Sequence, residues 1–240
     1  MRWLMIGVAL TLLGLPQPAT AQNAATPPLE RMIDISFRVA LPAHECTVPS
    51  TVSRLARQYH FLAGVEYLLV DCGPLFVGTP RDAAVSDLQG LSIGEALKKL
   101  TEIDPRYRWI ELDGVVVVRP VAAWSDPKNL LNFTTRSFVL EDVNVGSALA
   151  AVVAALTGHS DRGDILYASA QRTEQGARHF SVKTGATSGG DALSAIVRAH
   201  GAAWWEVQLG SIQQDPVAVV RIHTFDGTGL GLTARSRIPR

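Results

Sequence analysis

The sequence predicts an α+β fold made of two tandem small modules of βαβ-type repeats. Three observations carry this prediction. A short amphipathic helix pattern occurs four times, a β-rich segment follows each occurrence, and three of the helix starts share a local sequence. Since helices and sheets must bury their apolar sides against one another, we expect the helices to pack on one face of short mixed sheets.

Four helices are predicted by apolar residues at positions i, i+3, i+4 and i+7, which form one buried stripe. Ser and Asn are favoured just before a helix because their side chains accept hydrogen bonds from unpaired backbone N–H groups. Such a residue precedes each pattern: Ser50, Ser92, Asn144 and Ser188. Ser92 and Glu95 also have the spacing of a reciprocal capping box.

Internal repetition links three of these helix starts. Residues 91–97 resemble residues 144–149, and both resemble residues 188–193, since each contains a Gly followed by an Ala-Leu pair. The copies recur at intervals of roughly 50 residues, which indicates one structural unit used several times.

The β-strands are predicted from runs rich in Val, Ile, Tyr and Trp. Asp113-Gly114 lies between two such runs, and this dipeptide is a strong signal for a two-residue hairpin turn. The predicted strands are 65–70, 108–112, 115–118, 165–168, 204–209 and 217–224.

The N-terminus has the pattern of a secretory signal peptide. Arg2 supplies a positive charge, Leu4 to Leu15 is almost continuously apolar, and Ala19-Thr20-Ala21 is a cleavage signal. The alternative is an uncleaved anchor, but the apolar run is too short to span ~30 Å of hydrocarbon. We expect an exported protein, periplasmic or extracellular, with no later membrane-spanning segment.

These features predict six segments. They are a signal peptide over 1–21, a flexible leader over 22–32, a first module over 33–120, a linker over 121–133, a second module over 134–227 and a flexible tail over 228–240.

Composition and cysteine content narrow the chemistry. The chain has 22 Lys and Arg against 22 Asp and Glu, which argues against a nucleic-acid partner because such binding needs a basic face. Cys46 and Cys72 are the only cysteines, and an even count in an exported chain predicts a disulfide. A redox or metal pair is the alternative, but the spacing is not that of a C-x-x-C motif.

Residues 38–120 resemble the secretin and TonB short N-terminal domain. The parts that carry the resemblance occur in the order of that domain: an opening strand and turn at 39–43, a helix at 52–59, a strand at 64–71, a strand, Gly turn and helix at 88–100, and a closing hairpin at 107–120. Residues 138–224 follow the same order more loosely. The resemblance implies a non-enzymatic periplasmic module that docks partner proteins, with no catalytic residue, cofactor or metal.

Two other function classes remain open from the residues. An envelope hydrolase would draw on Ser188, Asp191, His179 and His200, although the G-x-S-x-G turn of many such enzymes is absent. His159, Asp161 and Asp164 are too few and too irregular to predict a cation site. The Gly-rich turn 185–190 offers backbone N–H groups to an anion but lacks the Lys of a phosphate-binding loop.

Possible partner-binding residues are Trp204, Trp205 and Phe225. Alternation along a strand predicts one indole facing inward and one outward, where it would serve a protein or glycan partner. Strand addition to an exposed sheet edge is the expected docking mode, with 65–70 and 217–223 as candidate edges. We therefore predict a non-enzymatic protein-docking or assembly module, with a hydrolase or a cell-wall or glycan-binding protein as the alternative.

Overall fold

The structure of the chain is a computed structural model. It describes residues 26–41, 46–67, 84–157, 164–170, 177–212, 215–225 and 233–236. The predicted signal peptide, 1–21, lies outside the described residues. Among the helices of the described residues, none has the length and apolar character that crossing a bilayer requires.

The described elements follow one another along the chain. The first half contains β1 (Arg38–Leu41), α1 (Thr47–Tyr59), β2 (Ala63–Tyr67), β3 (Ala84–Asp87), α2 (Ile93–Ile103), β4 (Tyr107–Leu112) and β5 (Val115–Pro120). The second half contains β6 (Thr134–Thr135), β7 (Phe138–Val143), α3 (Val145–Thr157), β8 (Asp164–Ala170), β9 (Phe180–Thr184), β10 (Thr187–Ser188), α4 (Gly189–His200), β11 (Ala203–Ile212), β12 (Asp215–Thr224) and β13 (Thr233–Ser236).

One mixed seven-stranded sheet takes strands from both halves, in the order β13-β8-β12-β11-β2-β5-β4. Strand β2 lies between β11 and β5 and is parallel to both. Three two-stranded ladders, β1–β3, β6–β10 and β7–β9, complete the described sheets. The predicted α+β class is confirmed. Two tandem modules, each with its own sheet, are not confirmed, because the halves share this sheet.

The helices cover both faces of the shared sheet. Helices α1 and α2 pack in one apolar cluster with Ala63, Val65, Val116 and Val118. Helices α3 and α4 pack in a second cluster with Val115 and Val117 from the same strand β5. Each helix pair does lie on one face, as predicted, but the two pairs lie on opposite faces of one sheet. A strand that is buried on both faces has a continuous apolar sequence, as β5 does.

Local signals placed three of the four helix starts correctly. Ser92 and Glu95 form the predicted capping box, Asn144 Oδ1 accepts from the Ser147 N–H at 2.9 Å, and Ser188 caps α4. Ser50 is wrong as a cap, because α1 begins at Thr47. The hairpin between β4 and β5 is confirmed.

Residues of the predicted leader and tail contact the rest of the chain. Ile33 N–H donates to the Leu91 carbonyl at 2.8 Å, and the Arg31 guanidinium donates to the Tyr59 carbonyl at 2.9 Å, so residues 26–32 dock against the first half. In the tail, β13 pairs antiparallel with β8. Residues of both segments therefore have partners in the rest of the chain, and the flexibility of the leader and the tail stays a prediction.

The junction of the two halves depends on the pair of β2 and β11. Gly64 lies opposite Trp205 in the parallel register, and the indole lies where a side chain at Gly64 would be. Trp205 Nε1–H donates to Ser194 Oγ on α4 at 3.2 Å. The missing side chain at Gly64 therefore lets the largest residue of the second half pack directly on a strand of the first.

Replacing Gly64 with Ala should destabilise the whole chain by about 2–3 kcal/mol, because the new methyl group would overlap the Trp205 ring. Urea unfolding followed by Trp fluorescence measures this loss. Gly94→Ala on α2 is the matched control, since its nearest non-neighbouring atom would lie at 3.4 Å. It should leave the free energy of unfolding unchanged or raise it by up to about 1 kcal/mol. Equal effects of the two substitutions would contradict this packing.

Candidate functional site

The two adjacent tryptophans lie on opposite faces of the sheet, and both are buried. Trp204 is 6% exposed and Trp205 is 0% exposed. The expectation that one indole faces outward is wrong, because α1 and α2 cover one face and α3 and α4 the other. Trp205 belongs to the core and is not placed to contact a partner.

Trp204 and Phe225 come together with two histidines in a ring cluster, which consists of His60, Trp204, His223 and Phe225. The centroids of Trp204 and Phe225 are 5.6 Å apart, and those of Trp204 and His223 are 4.8 Å apart, with nearly parallel rings. His60, exposed at the C-terminal end of α1, stacks on Phe225 at 5.0 Å. The sequence pointed to Trp204 and Phe225 but not to the histidines, which only the fold brings near.

An ion pair lies beside the ring cluster. His223 Nε2 is 3.0 Å from Glu206 Oε2, and both side chains are mostly buried. The Tyr67 hydroxyl and the Trp204 N–H each donate to Glu206 Oε1 at 3.5 Å. Glu206 therefore has polar partners on three strands, all on the face of the sheet that α1 and α2 cover.

The protonation states in this group follow from burial and charge. Burial by itself would raise the pKa of Glu206, but the hydrogen bond and the positive charge of His223 outweigh it and lower the pKa to about 2. Burial, followed by the nearby Glu206 charge, raises the pKa of Tyr67. A carboxylate with so low a pKa is a weak general base at neutral pH. The arrangement favours a structural ion pair.

The residues considered for a hydrolase lie apart. Ser188 Oγ and Asp191 Oδ2 are 2.7 Å apart at the start of α4, where they cap the helix. His200 is the last residue of α4, about 14 Å from Asp191 along the helix axis at ~1.5 Å per residue. His179 Nδ1 is instead 3.1 Å from the exposed Asp142 carboxylate. The set does not form one catalytic group, and the Asp191 charge opposes an anion at this helix start.

A buried polar network lies on the α3–α4 face. Glu66 is 1% exposed and Arg119 is 5% exposed, and they form an ion pair at 2.6 Å. Asn129 donates to Glu66 and accepts from Arg119, and Asn132 Oδ1 accepts from Arg119 at 3.0 Å. The segment predicted as a linker, 121–133, thus supplies partners for two buried charges and is packed into the fold.

A cavity of about 190 Å³ lies next to this network, and we call it the Trp124 cavity. It is bounded by the β4–β5 hairpin, by the 121–133 segment and by the start of α4. Its lining includes Leu112, Arg119, Trp124, Asn132, Ser188 and Asp191. No single motif marked it, because its lining residues come from three separate parts of the sequence.

Other predicted sites fall partly beyond the described residues. Cys46 is disulfide-bonded, while Cys72 lies outside the described residues, so their pairing stays a prediction. His159 and Asp161 also lie outside them. Within the described ranges, no group of three or more His, Cys, Asp or Glu side chains is placed to hold a metal ion.

The candidate sheet edges named from the sequence are wrong. The described part of 65–70 belongs to β2, which lies between β11 and β5, and 217–223 belongs to β12, between β11 and β8. The sheet ends instead at β4, which pairs with β5 on one side only within the described part of the chain. Sequence patterns identify the strands, but the order of the strands in the sheet depends on pairing between distant residues.

Comparison of the chain with protein-family models, with curated proteins and with solved structures gave no match in any of the three.

Replacing His223 with Gln should make the fold more sensitive to acid. In the native chain the Glu206 pKa is lowered from 4.5 to about 2. The stability that ionised Glu206 contributes is therefore present above pH 4.5 and is lost as the pH falls towards 2. Without the His223 charge, burial raises the Glu206 pKa and this loss moves to higher pH. Urea unfolding at pH 5 should show a deficit of about 2–3 kcal/mol.

His179→Gln is the matched control for this substitution. It also removes a histidine that pairs with a carboxylate, but both partners are largely exposed, so its effect on stability should be close to zero. A pH dependence of unfolding that is the same in the native chain and in His223→Gln would contradict the role assigned to the Glu206–His223 pair.

Proposed function

We propose that the chain is a non-enzymatic docking module that acts outside the cytoplasm and binds an extended segment of a partner protein along β4. The observation that carries this proposal is the position of β4 at the end of the seven-stranded sheet. An end strand presents a row of backbone N–H and C=O groups to which a further strand can pair.

The register of the β4–β5 hairpin determines which backbone groups point outward. Asp113 and Gly114 have positive φ values of 49° and 79°, as a type I′ turn requires. In such a two-residue hairpin the closing pair, Leu112 and Val115, is hydrogen-bonded, and bonded pairs then alternate along the ladder. The backbone groups of Trp109 and Glu111 therefore point away from β5, towards the free edge.

The side chains of β4 can contact a bound peptide on both faces of the sheet. Leu112 is 40% exposed and Trp109 is half-buried, and these lie on opposite faces of the strand. Exposed Arg108 and Glu111 add one charge of each sign. Backbone bonds would supply affinity, and pockets for alternate side chains would supply specificity.

The opposite edge of the sheet is a weaker candidate. Strand β13 has four residues, whereas β4 has six and is held by its turn. A longer ladder offers more hydrogen bonds to an incoming strand. The resemblance of residues 38–120 to the secretin and TonB short N-terminal domain, and the predicted signal peptide, support a docking role in the cell envelope.

The geometry favours docking over catalysis. The residues considered for a hydrolase are divided between the two ends of α4 and the exposed His179–Asp142 pair. Glu206 is mostly buried and contacts His223. Its pKa is too low for proton abstraction at neutral pH.

Glu111→Pro should abolish docking while the fold is retained. Proline removes the outward N–H of residue 111 but takes no hydrogen bond from the ladder with β5, and edge strands tolerate it. Glu111→Ala is the matched control, because it removes the same charge and keeps the N–H. We expect the affinity for a strand-adding partner to fall at least about tenfold in the Pro variant and little in the Ala variant.

The measurement uses three baits: the native chain, Glu111→Ala and Glu111→Pro, each checked by circular dichroism and thermal unfolding. Proteins from an envelope extract that bind the first two baits but not the third are identified. A peptide from such a partner should then shift the amide NMR signals of Trp109 and Glu111. If no protein shows this pattern, or if the peptide binds the Pro variant equally well, docking along β4 is wrong.

A further inference from the structure

The charged side chains of the β4–β5 hairpin define the kind of segment that β4 can bind. We infer that this segment belongs to a different protein and runs antiparallel to β4, with a Lys or Arg opposite Glu111 and, three residues later, an Asp or Glu opposite Arg108. The inference rests on the proposed docking function, to which it adds the charge pattern and the direction of the partner strand.

Two charges of the hairpin have no opposite charge beside them. The charged residues of the hairpin are Arg108, Glu111, Asp113 and Arg119. Asp113 pairs with Arg198 on α4 at 2.8 Å, and Arg119 pairs with Glu66 at 2.6 Å. Arg108 and Glu111 are exposed, and neither forms an ion pair with another residue of the described ranges. These two charges are therefore the ones that a partner strand can neutralise.

The Arg108 side chain is held in place beside the edge of the sheet. Its guanidinium carbon lies 4.7 Å from the centroid of the Trp124 ring. The ring is fixed in turn, because the buried Arg119 guanidinium carbon lies 4.9 Å from the same centroid. A guanidinium that packs on an aromatic ring can still donate hydrogen bonds to a carboxylate. Since Arg108 is already ordered, it loses less conformational entropy when it binds an acidic side chain.

The two charges lie on opposite faces of the sheet, and this sets their spacing in the partner. Ile110 packs against the α3–α4 cluster and Trp109 against the α1–α2 cluster, so alternation places Arg108 on the first face and Glu111 on the second. Residues directly opposite in an antiparallel pair share a face, and opposite charges there attract. Because the strands run in opposite directions, the basic residue of the partner precedes its acidic residue by three positions. Antiparallel pairing is also slightly more stable per residue than parallel pairing, in which the acidic residue would come first.

A second copy of β4 cannot supply this charge pattern. The outward backbone groups of β4 belong to odd-numbered residues, and antiparallel pairing bonds outward residues to outward residues. In a pair of two β4 strands, Glu111 would therefore face an odd-numbered residue of the second copy, and Arg108 an even-numbered one. Diagonal neighbours differ by two positions and follow the same rule. Glu111 and Arg108 of two copies would never meet, so the attraction requires a strand of different sequence.

The test compares two peptides of identical composition, each rich in Thr and Val with one Lys and one Glu and with blocked termini. In the forward peptide Lys precedes Glu by three positions, and in the reversed peptide Glu precedes Lys by three. Binding to the full chain is followed through the amide NMR signals of Trp109 and Glu111. We expect the forward peptide to bind at least about fivefold more tightly, because it forms two attractive pairs where the reversed peptide forms two repulsive ones. This preference should shrink at about 1 M salt, which screens exposed charges.

Two double variants assign the preference to these side chains, and both keep every backbone N–H. Arg108→Glu combined with Glu111→Arg should reverse the preference, so that the reversed peptide binds more tightly. Arg108→Gln combined with Glu111→Gln should remove it. Lys183→Gln, at an exposed position on β9, is the matched control and should keep the native preference. Circular dichroism and thermal unfolding show whether each variant is folded, and either double variant alone suffices for the test.

Several results would overturn the inference, and they are distinct from a failure of the docking function. Equal binding of both peptides to the native chain, with neither bound by Glu111→Pro, would remove the charge pattern and leave docking along β4 intact. Tighter binding of the reversed peptide, binding of neither peptide, or an unchanged preference in the charge-exchanged variant would also contradict it. So would a dimer of the native chain that Glu111→Pro dissociates, because a second copy would then occupy β4. The docking function itself is decided by the envelope-extract experiment.

Discussion

The parallel pairing of β2 with β11 is the contact on which the rest of the structure depends. It joins a strand of the first half to a strand of the second and so produces one sheet with helices on both faces. Gly64 permits this pairing because the Trp205 indole lies over it and reaches Ser194 on α4. Neither half could bury β2 on both faces by itself. The β4 edge and the Trp124 cavity are both consequences of this shared sheet, since it sets which strand is last and brings α4 close to β5.

Burial of two opposite charges explains why the connection between the halves is ordered. Glu66 and Arg119 lie in an apolar setting where an unpaired charge would cost several kcal/mol. The ion pair does not use all the hydrogen-bonding groups of the two side chains. Asn129, Asn132 and the Ala123 carbonyl hydrogen-bond to the groups that remain. Leu130 and Leu131 bury their side chains in the core next to α4. Two residues of this network, Arg119 and Asn132, also line the Trp124 cavity.

Local features were predictable from the sequence, and long-range ones were not. The helix periodicity, the Ser92–Glu95 capping box and the Asp113-Gly114 turn depend on residues close together in the chain, and the structure contains all three. The shared sheet, the interior position of β12 and the pairing of β13 with β8 depend on backbone bonds between distant residues. For the site, the sequence indicated Trp204 and Phe225, but His60, His223 and Glu206 join them only through the fold. Trp124 gave no signal, because its neighbours in the cavity come from distant segments.

The central claim is that both halves fold as one unit through the β2–β11 pair. Native-state hydrogen exchange measured at increasing urea concentrations tests it most directly, because it reports the free energy of opening for individual amides. The account predicts that the slowest amides of α1, α2, α3 and α4 exchange in one common unfolding event, with the same free energy and the same dependence on urea. Separate events, in which α1 and α2 open with one free energy while α3 and α4 stay protected, would contradict a shared fold and restore two independent modules.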